Sequence, residues 1–161
     1  MARLSLAKNL KTALKGVDTA VVVAHARRYA PRKLPKLLAP KAQKILAELG
    51  KDVDPGTMGG SASSLSGGTP RRVTAVVLPD TGSRYNHPVR PDAIERNIRG
   101  VGGSAKKVAI VVVLEEPGYA TAAALAVSRA LPGPSWRSKR KAATRYQLVF
   151  VDPTGKDVEV D

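Results

Sequence analysis

The chain has 161 residues, no cysteine, and 27 Lys and Arg against 13 Asp and Glu for a net charge of +14. The length suits one domain with a buried core, and a hydrophobic fraction of 43% excludes a wholly disordered chain. The missing thiols exclude disulfides, thiol nucleophiles, iron–sulfur clusters and cysteine-ligated zinc, two histidines (His25 and His87) leave little for metal chemistry, and no apolar run approaches a membrane span.

The first stretch, residues 1–16, alternates apolar and basic residues without a continuous apolar centre, so no secretory signal is read and a cytoplasmic location is expected. Residues 3–7 alternate and predict a short strand. After the turn at Gly16-Val17-Asp18, residues 19–24 form a β-branched run of the kind that a strand covered on both faces carries. Pro31 and Pro35 break the chain. Pro40 opens a helix in which Ala42, Ile45, Leu46 and Leu49 recur at helical spacing, with Gly50 as its C-cap. Residues 54–70, rich in Gly, Ser and Pro, predict a flexible loop. Further strands are expected at 72–78, 108–114 and 146–151, with a last short one at 158–160. Between them, helices are expected at 91–99, with Ala93, Ile94 and Ile98 inward, and at 117–131. The second has a small-residue face of Ala120, Ala123, Ala124, Val127 and Leu131. Strands alternating with helices predict an α/β domain with a mixed, mostly parallel sheet and helices on both faces.

The charge is uneven. Residues 1–51 hold twelve Lys and Arg against two acids, a local run lies at Arg137-Ser138-Lys139-Arg140-Lys141, and the last ten residues are acidic. Such a balance favours an acidic partner: nucleic acid, a membrane surface or an acidic protein. Arg27, Arg28, Arg32, Lys33, Lys36, Arg137, Lys139, Arg140 and Lys141 are the candidate partner surface. Trp136 and Arg145-Tyr146 flank the later cluster, but aromatics are 4% of the chain, too few for a base-stacking platform, and the cluster reads as a solvated basic loop.

Four other constellations carry candidate chemistry. Gly100-Val101-Gly102-Gly103-Ser104-Ala105-Lys106-Lys107 looks like a phosphate loop, but it follows a helix and precedes a strand, the reverse of the order such a loop needs, and reads as a connection. Arg84, Tyr85, Asn86 and His87 follow a strand end, where α/β folds place ligands, and offer an anion or base site; the competing reading is a loop that bonds itself ahead of a proline helix start. His25 reads as a strand-end residue without a ligand role. Glu115-Glu116 reads as acids favoured by a helix N-terminus.

From about residue 71 onward the chain resembles the N-terminal domain of the leucyl aminopeptidase family, in its aminopeptidase-like branch. The resemblance rests on Ser83-Arg84-Tyr85-Asn86-His87-Pro88, on Lys107-Val108-Ala109-Ile110-Val111-Val112-Val113, and on the Ala-rich run from Tyr119 to Pro132. It continues through the basic run at 137–141 and the strand ending at Val151, followed by Gly155 and Val158-Glu159-Val160. The early strand and helix of residues 1–50 match more weakly. The resemblance implies a three-layer, macro-like α/β fold. It also implies that catalysis belongs to a larger C-terminal domain, where Asp, Glu and Lys hold two metal ions. The family's Asn-Thr-Asp-Ala-Glu-Gly-Arg segment does not occur in these residues, and the 13 acids are scattered. No catalytic, metal or cofactor role therefore carries over to any residue, and no cofactor is expected. The family's N-terminal domain contributes to oligomer assembly, limits substrate access and, in some bacterial members, helps bind DNA.

Three readings follow, in order. The first is a non-catalytic assembly and interaction domain, self-associating or docking on a catalytic aminopeptidase subunit. The second is a nucleic-acid-binding domain touching phosphates with residues 27–51 and 137–145. The third is a macro-like domain binding a nucleotide or ADP-ribose near residues 80–88 and 100–104.

Overall fold

Strands β2 (Thr19–His25), β4 (Arg72–Leu78), β5 (Lys107–Val113) and β6 (Arg145–Val151) stand side by side as the parallel centre of a sheet. The computed structural model describes residues 3–80, 86–101, 105–131 and 144–160. Within them, β1 (Arg3–Leu6) extends the parallel set beyond β6, while β3 (Gly60–Leu65) and the two-residue β7 (Asp157–Val158) pair antiparallel with β4 and β6. The strand order is β1-β6-β5-β2-β4-β3.

Successive side chains of a strand point to opposite faces, so each buried strand feeds two cores. Val21, Val23, Val76, Leu78, Ile110, Val112, Leu148 and Phe150 face one layer, made by α3 (Pro91–Ile98) and α4 (Ala120–Ala130). Val22, Ala24, Val73, Ala75, Val77, Val111, Val149 and Val151 face the other, made by α1 (Leu10–Leu14), a 3-10 helix at Ala26–Tyr29, and α2 (Pro40–Asp52). The result is the expected three-layer α/β fold. Each fully buried Val or Leu adds about 1.5–3 kcal/mol, and all seven residues of β2 are buried.

Several elements differ from the sequence-based expectation. The stretch 54–70, read as a flexible loop, builds strand β3 at its middle. Its Ser and Ala residues alternate between exposed and half-buried positions, and the ladder to β4 supplies order that the composition does not. Helix α1 was not foreseen. It is only five residues long, and it starts because the Asn9 side chain accepts from the Thr12 N–H at 2.7 Å. Helix α4 begins after a short 3-10 turn at Pro117–Tyr119, and its buried face includes Ala126 and Ala130 in place of Ala124 and Leu131.

Gly50 does not cap α2. The helix continues to Asp52, and the Tyr29 ring lies where a Gly50 side chain would go: an added Cβ would sit 2.0 Å from the ring. Tyr29 is buried there, and its hydroxyl donates to the carbonyls of Val22 at 2.9 Å and Val76 at 3.2 Å. The glycine is therefore the groove through which the 3-10 helix locks α2 against the sheet. Gly50→Ala is expected to destabilise the fold by about 1–3 kcal/mol, measured by urea unfolding. A neutral or stabilising result, as helix propensity alone would give, would contradict this packing.

Candidate functional site

From β2 the chain crosses to β4 on one side, and from β5 it crosses to β6 on the other. The carboxyl ends of β2 and β5 therefore flank the point where strand order reverses, the place at which open α/β sheets hold ligands. The last residue of β2 is His25. Arg27 and Arg28 follow on the 3-10 helix, Glu115 comes two residues after β5, and Pro79-Asp80 follows β4.

These groups engage one another. Arg28 grips Glu115 with both arms, Nε to Oε1 at 2.9 Å and Nη2 to Oε2 at 2.5 Å, while the Arg27 guanidinium lies 3.5 Å from Oε1. The Arg27 backbone N–H donates to Asp80 Oδ1 at 3.3 Å. His25 is buried, with Nδ1 3.1 Å from the Pro79 carbonyl. A carbonyl only accepts, so Nδ1 carries the proton.

The electrostatics follow from this geometry. The hydrogen bond from Arg28 holds the Glu115 carboxyl below its ordinary value, in spite of partial burial. Burial pushes the His25 imidazole below its ordinary value, only partly offset by the Pro79 carbonyl. At neutral pH, Glu115 is thus a carboxylate and His25 is neutral. Both Glu115 oxygens are occupied and Arg28's fork is committed, so among the described residues the two groups form a clamp across the crevice. Among the described residues no three His, Asp or Glu side chains gather as metal ligands.

The clamp bears on two expectations. Glu115, read as an acid favoured by a helix N-terminus, is bonded to Arg28, and Arg28, named for the partner surface, is partly buried in that ion pair. Arg27 is half exposed and shares that pair. Arg32, Lys33 and Lys36 lie exposed on the turns after the 3-10 helix. His87 accepts the Val89 N–H on Nδ1 at 3.2 Å and meets Tyr119 edge-on at 5.0 Å, while its carbonyl accepts from the Arg90 N–H, so it shapes the turn before α3. Asn86 beside it is exposed. Arg84, Tyr85, Arg137, Lys139, Arg140 and Lys141 lie outside the described residues. Of the two stretches suggested for a nucleotide, 81–85 and 102–104 lie outside the described residues; of their described ends, Asp80 follows the carboxyl end of β4, whereas Gly100 and Val101 lie at the amino ends of the strands, about 20 Å away along a seven-residue strand. Sequence reasoning missed the Arg28–Glu115 clamp. Its one visible signal was that Arg27-Arg28 and Glu115-Glu116 each stand just beyond a buried strand.

Residues 37–141, more than half of the chain, match the family model of M17 aminopeptidase N-terminal domain 2. The chain belongs to that family. A comparison with curated proteins finds no match. Among solved structures, leucyl aminopeptidase from Leishmania major in complex with actinonin superposes with a TM-score of 0.71 at 20% identity, covering 91% of this chain and 29% of that one. The apo leucyl aminopeptidase of Trypanosoma brucei gives 0.65 at 20% identity, covering 87% and 30%. The leucine aminopeptidase of Caenorhabditis elegans gives 0.61 at 14% identity, covering 92% and 31%. These likenesses show the fold, and the chain spans about 30% of the length of those enzymes.

The clamp sets the acid response. Glu115's contribution is present above its ordinary value of 4.5 and is lost as pH falls through its lower folded value. His25 acts at higher pH: below its ordinary value of 6.5 the unfolded chain takes up a proton that the folded chain resists, so stability falls. Denaturation at a series of pH values should show two losses, one beginning near the ordinary histidine value and removed by His25→Asn, the other below the ordinary carboxylate value and reduced by Glu115→Gln, with Asp92 and Asp152 supplying the remainder. At neutral pH, Glu115→Gln should cost about 1–3 kcal/mol. Unchanged profiles in both variants would contradict the assignment.

Proposed function

We propose that the chain works in the cytoplasm as the non-catalytic N-terminal domain of a leucyl aminopeptidase-type protein, and that its role is oligomer assembly and docking on a catalytic part. The observation that carries this reading is the match of residues 37–141 to the aminopeptidase N-terminal domain, in a chain that spans about 30% of structurally similar leucyl aminopeptidases. The switch-point crevice supports it, because the Arg28–Glu115 pair occupies the position where a sheet of this type would hold a substrate.

The edge of the sheet supports the docking part. β1 is the outermost strand on its side, and all four of its residues are exposed. Its register with β6 puts Leu4 beside Tyr146 and Leu6 beside Leu148, on the α4 face, where 57% of Leu6 remains open to solvent. An unpaired apolar edge is a surface that soluble proteins normally blunt.

Light scattering of the chain should show one defined oligomer that persists between about 50 and about 300 mM salt, because apolar burial is little screened. Leu6→Lys should shift it toward monomer. A monomer at every concentration, or an assembly that salt dissolves, would refute the assembly role. Hydrolysis of leucine anilide with added manganese should be nil, and metal-dependent turnover by these 161 residues would overturn the non-catalytic reading.

A further inference from the structure

The amino end of the sheet is built differently from the carboxyl end. α3 runs back from the carboxyl ends over β4, but its eight residues span only about 12 Å, whereas a seven-residue strand spans about 20 Å. The helix stops short, and the sheet beneath its last turn stays uncovered. A cavity of about 780 Å³ opens there, between the strand starts and residues Asn97 to Val101.

Its floor departs from the rest of the sheet. On the α3 face β2 reads Thr19, Val21, Val23, and β4 reads Arg72, Thr74, Val76, Leu78. The paired positions on β3 are Ser61 beside Val76 and Ser63 beside Thr74. The face thus gains hydroxyls where the helix ends, with Leu65, beside Arg72, as an exposed apolar side chain at the same cavity. Thr19 and Thr74 are 4% and 7% exposed, both line the cavity, and neither hydroxyl has a hydrogen-bond partner among the described residues. No buried side-chain oxygen or nitrogen among the described residues lacks a partner, so these two hydroxyls are open to the cavity, where water or a ligand can bond them.

The rim is cationic. Arg71, Arg72, Arg99 and Lys106 line it, against the single carboxylate of Asp18. That carboxylate is turned to the backbone, where it accepts from the N–H groups of Lys106 at 3.0 Å and Lys107 at 3.1 Å. Arg99 is paired with Glu95 at 2.8 Å, while Arg71, Arg72 and Lys106 have no carboxylate partner among the described residues. Arg72 donates from Nη1 to Ser63 Oγ at 3.3 Å, inside the cavity wall. The carboxyl end of α3 brings about half a negative charge, which the three cations without a carboxylate partner outweigh.

We infer that this cavity binds a small phosphate-bearing anion, its phosphate oxygens taken by Arg71, Arg72 and Lys106 and its polar body seated on the Thr19, Thr74 and Ser63 hydroxyls. Guanidinium forks match phosphate oxygens, and the volume is that of a small-molecule site.

Calorimetric titration of the chain with inorganic pyrophosphate and with ATP tests this. One-to-one saturable binding is expected. Equal affinities mean that the phosphates alone are held, and tighter ATP means that the body of the ligand is held as well; both support the site. Arg71→Gln with Arg72→Gln should weaken binding about tenfold or more, and Thr74→Val, which leaves charge untouched, about threefold. Lys33→Gln with Lys36→Gln removes the same charge from a distant exposed turn and should change affinity less than about twofold. All of these substitutions are to be checked for an unchanged melting curve. Absence of saturable binding with both probes, or an equal loss in the Lys33/Lys36 control, would overturn the inference.

Discussion

Parallel strands cannot be joined by a tight turn, so each link between them must cross over the sheet, and each crossover must lie on a face. That requirement organises this molecule. β2 lies between β4 and β5 and is reached from both sides only by long connections, so its seven residues are buried above and below. Layering, strand order and the two cores all follow from covering that strand twice. The Tyr29–Gly50 contact belongs to the same constraint, because it presses α2 onto one face while α3 and α4 close the other.

Covering the faces leaves the ends, and the two ends are treated in opposite ways. At the carboxyl end the reversal of strand order opens a crevice, and Arg28 with Glu115 fills it. Two side chains brought from 87 positions apart satisfy each other's hydrogen-bonding groups in a half-buried site. At the amino end the short α3 leaves part of the sheet uncovered, and the cavity there holds the hydroxyls of Thr19, Thr74 and Ser63 beneath cations without a carboxylate partner among the described residues. Ligand sites in open parallel sheets belong by habit to the carboxyl side. In this chain that side is clamped and the accessible polar volume lies opposite.

The +14 charge takes on a different meaning in this setting. Part of it is internal: Arg28 and Arg27 serve Glu115, and Arg90 is held by Asp92 at 2.9 Å. Part is plain solvated surface, as at Arg32, Lys33 and Lys36. The portion that converges on a cavity, Arg71, Arg72 and Lys106, lies outside the basic first third that composition singles out. Net charge counts side chains, whereas recognition depends on which of them lack a partner and point to one place.

The runs at 19–24, 72–78, 108–114 and 146–151 were legible as buried strands because continuous β-branched residues fit little else, and the helices opened by Pro40 and Pro91 were legible from periodicity and from proline's fixed φ. These are local properties, and with the alternation of strand and helix they determined the three-layer class. Strand β3 was hidden because Gly and Ser carry no strand preference, and only the ladder to β4 makes them one. Gly50 looked like a cap because its reason for being glycine is a ring twenty-one positions away. The Arg28–Glu115 clamp and the hydroxyl floor were invisible for the same cause. Each joins side chains from separate crossovers, and which strand ends meet is decided by the order β6-β5-β2-β4, a tertiary outcome of packing both faces at once that no local run of residues encodes.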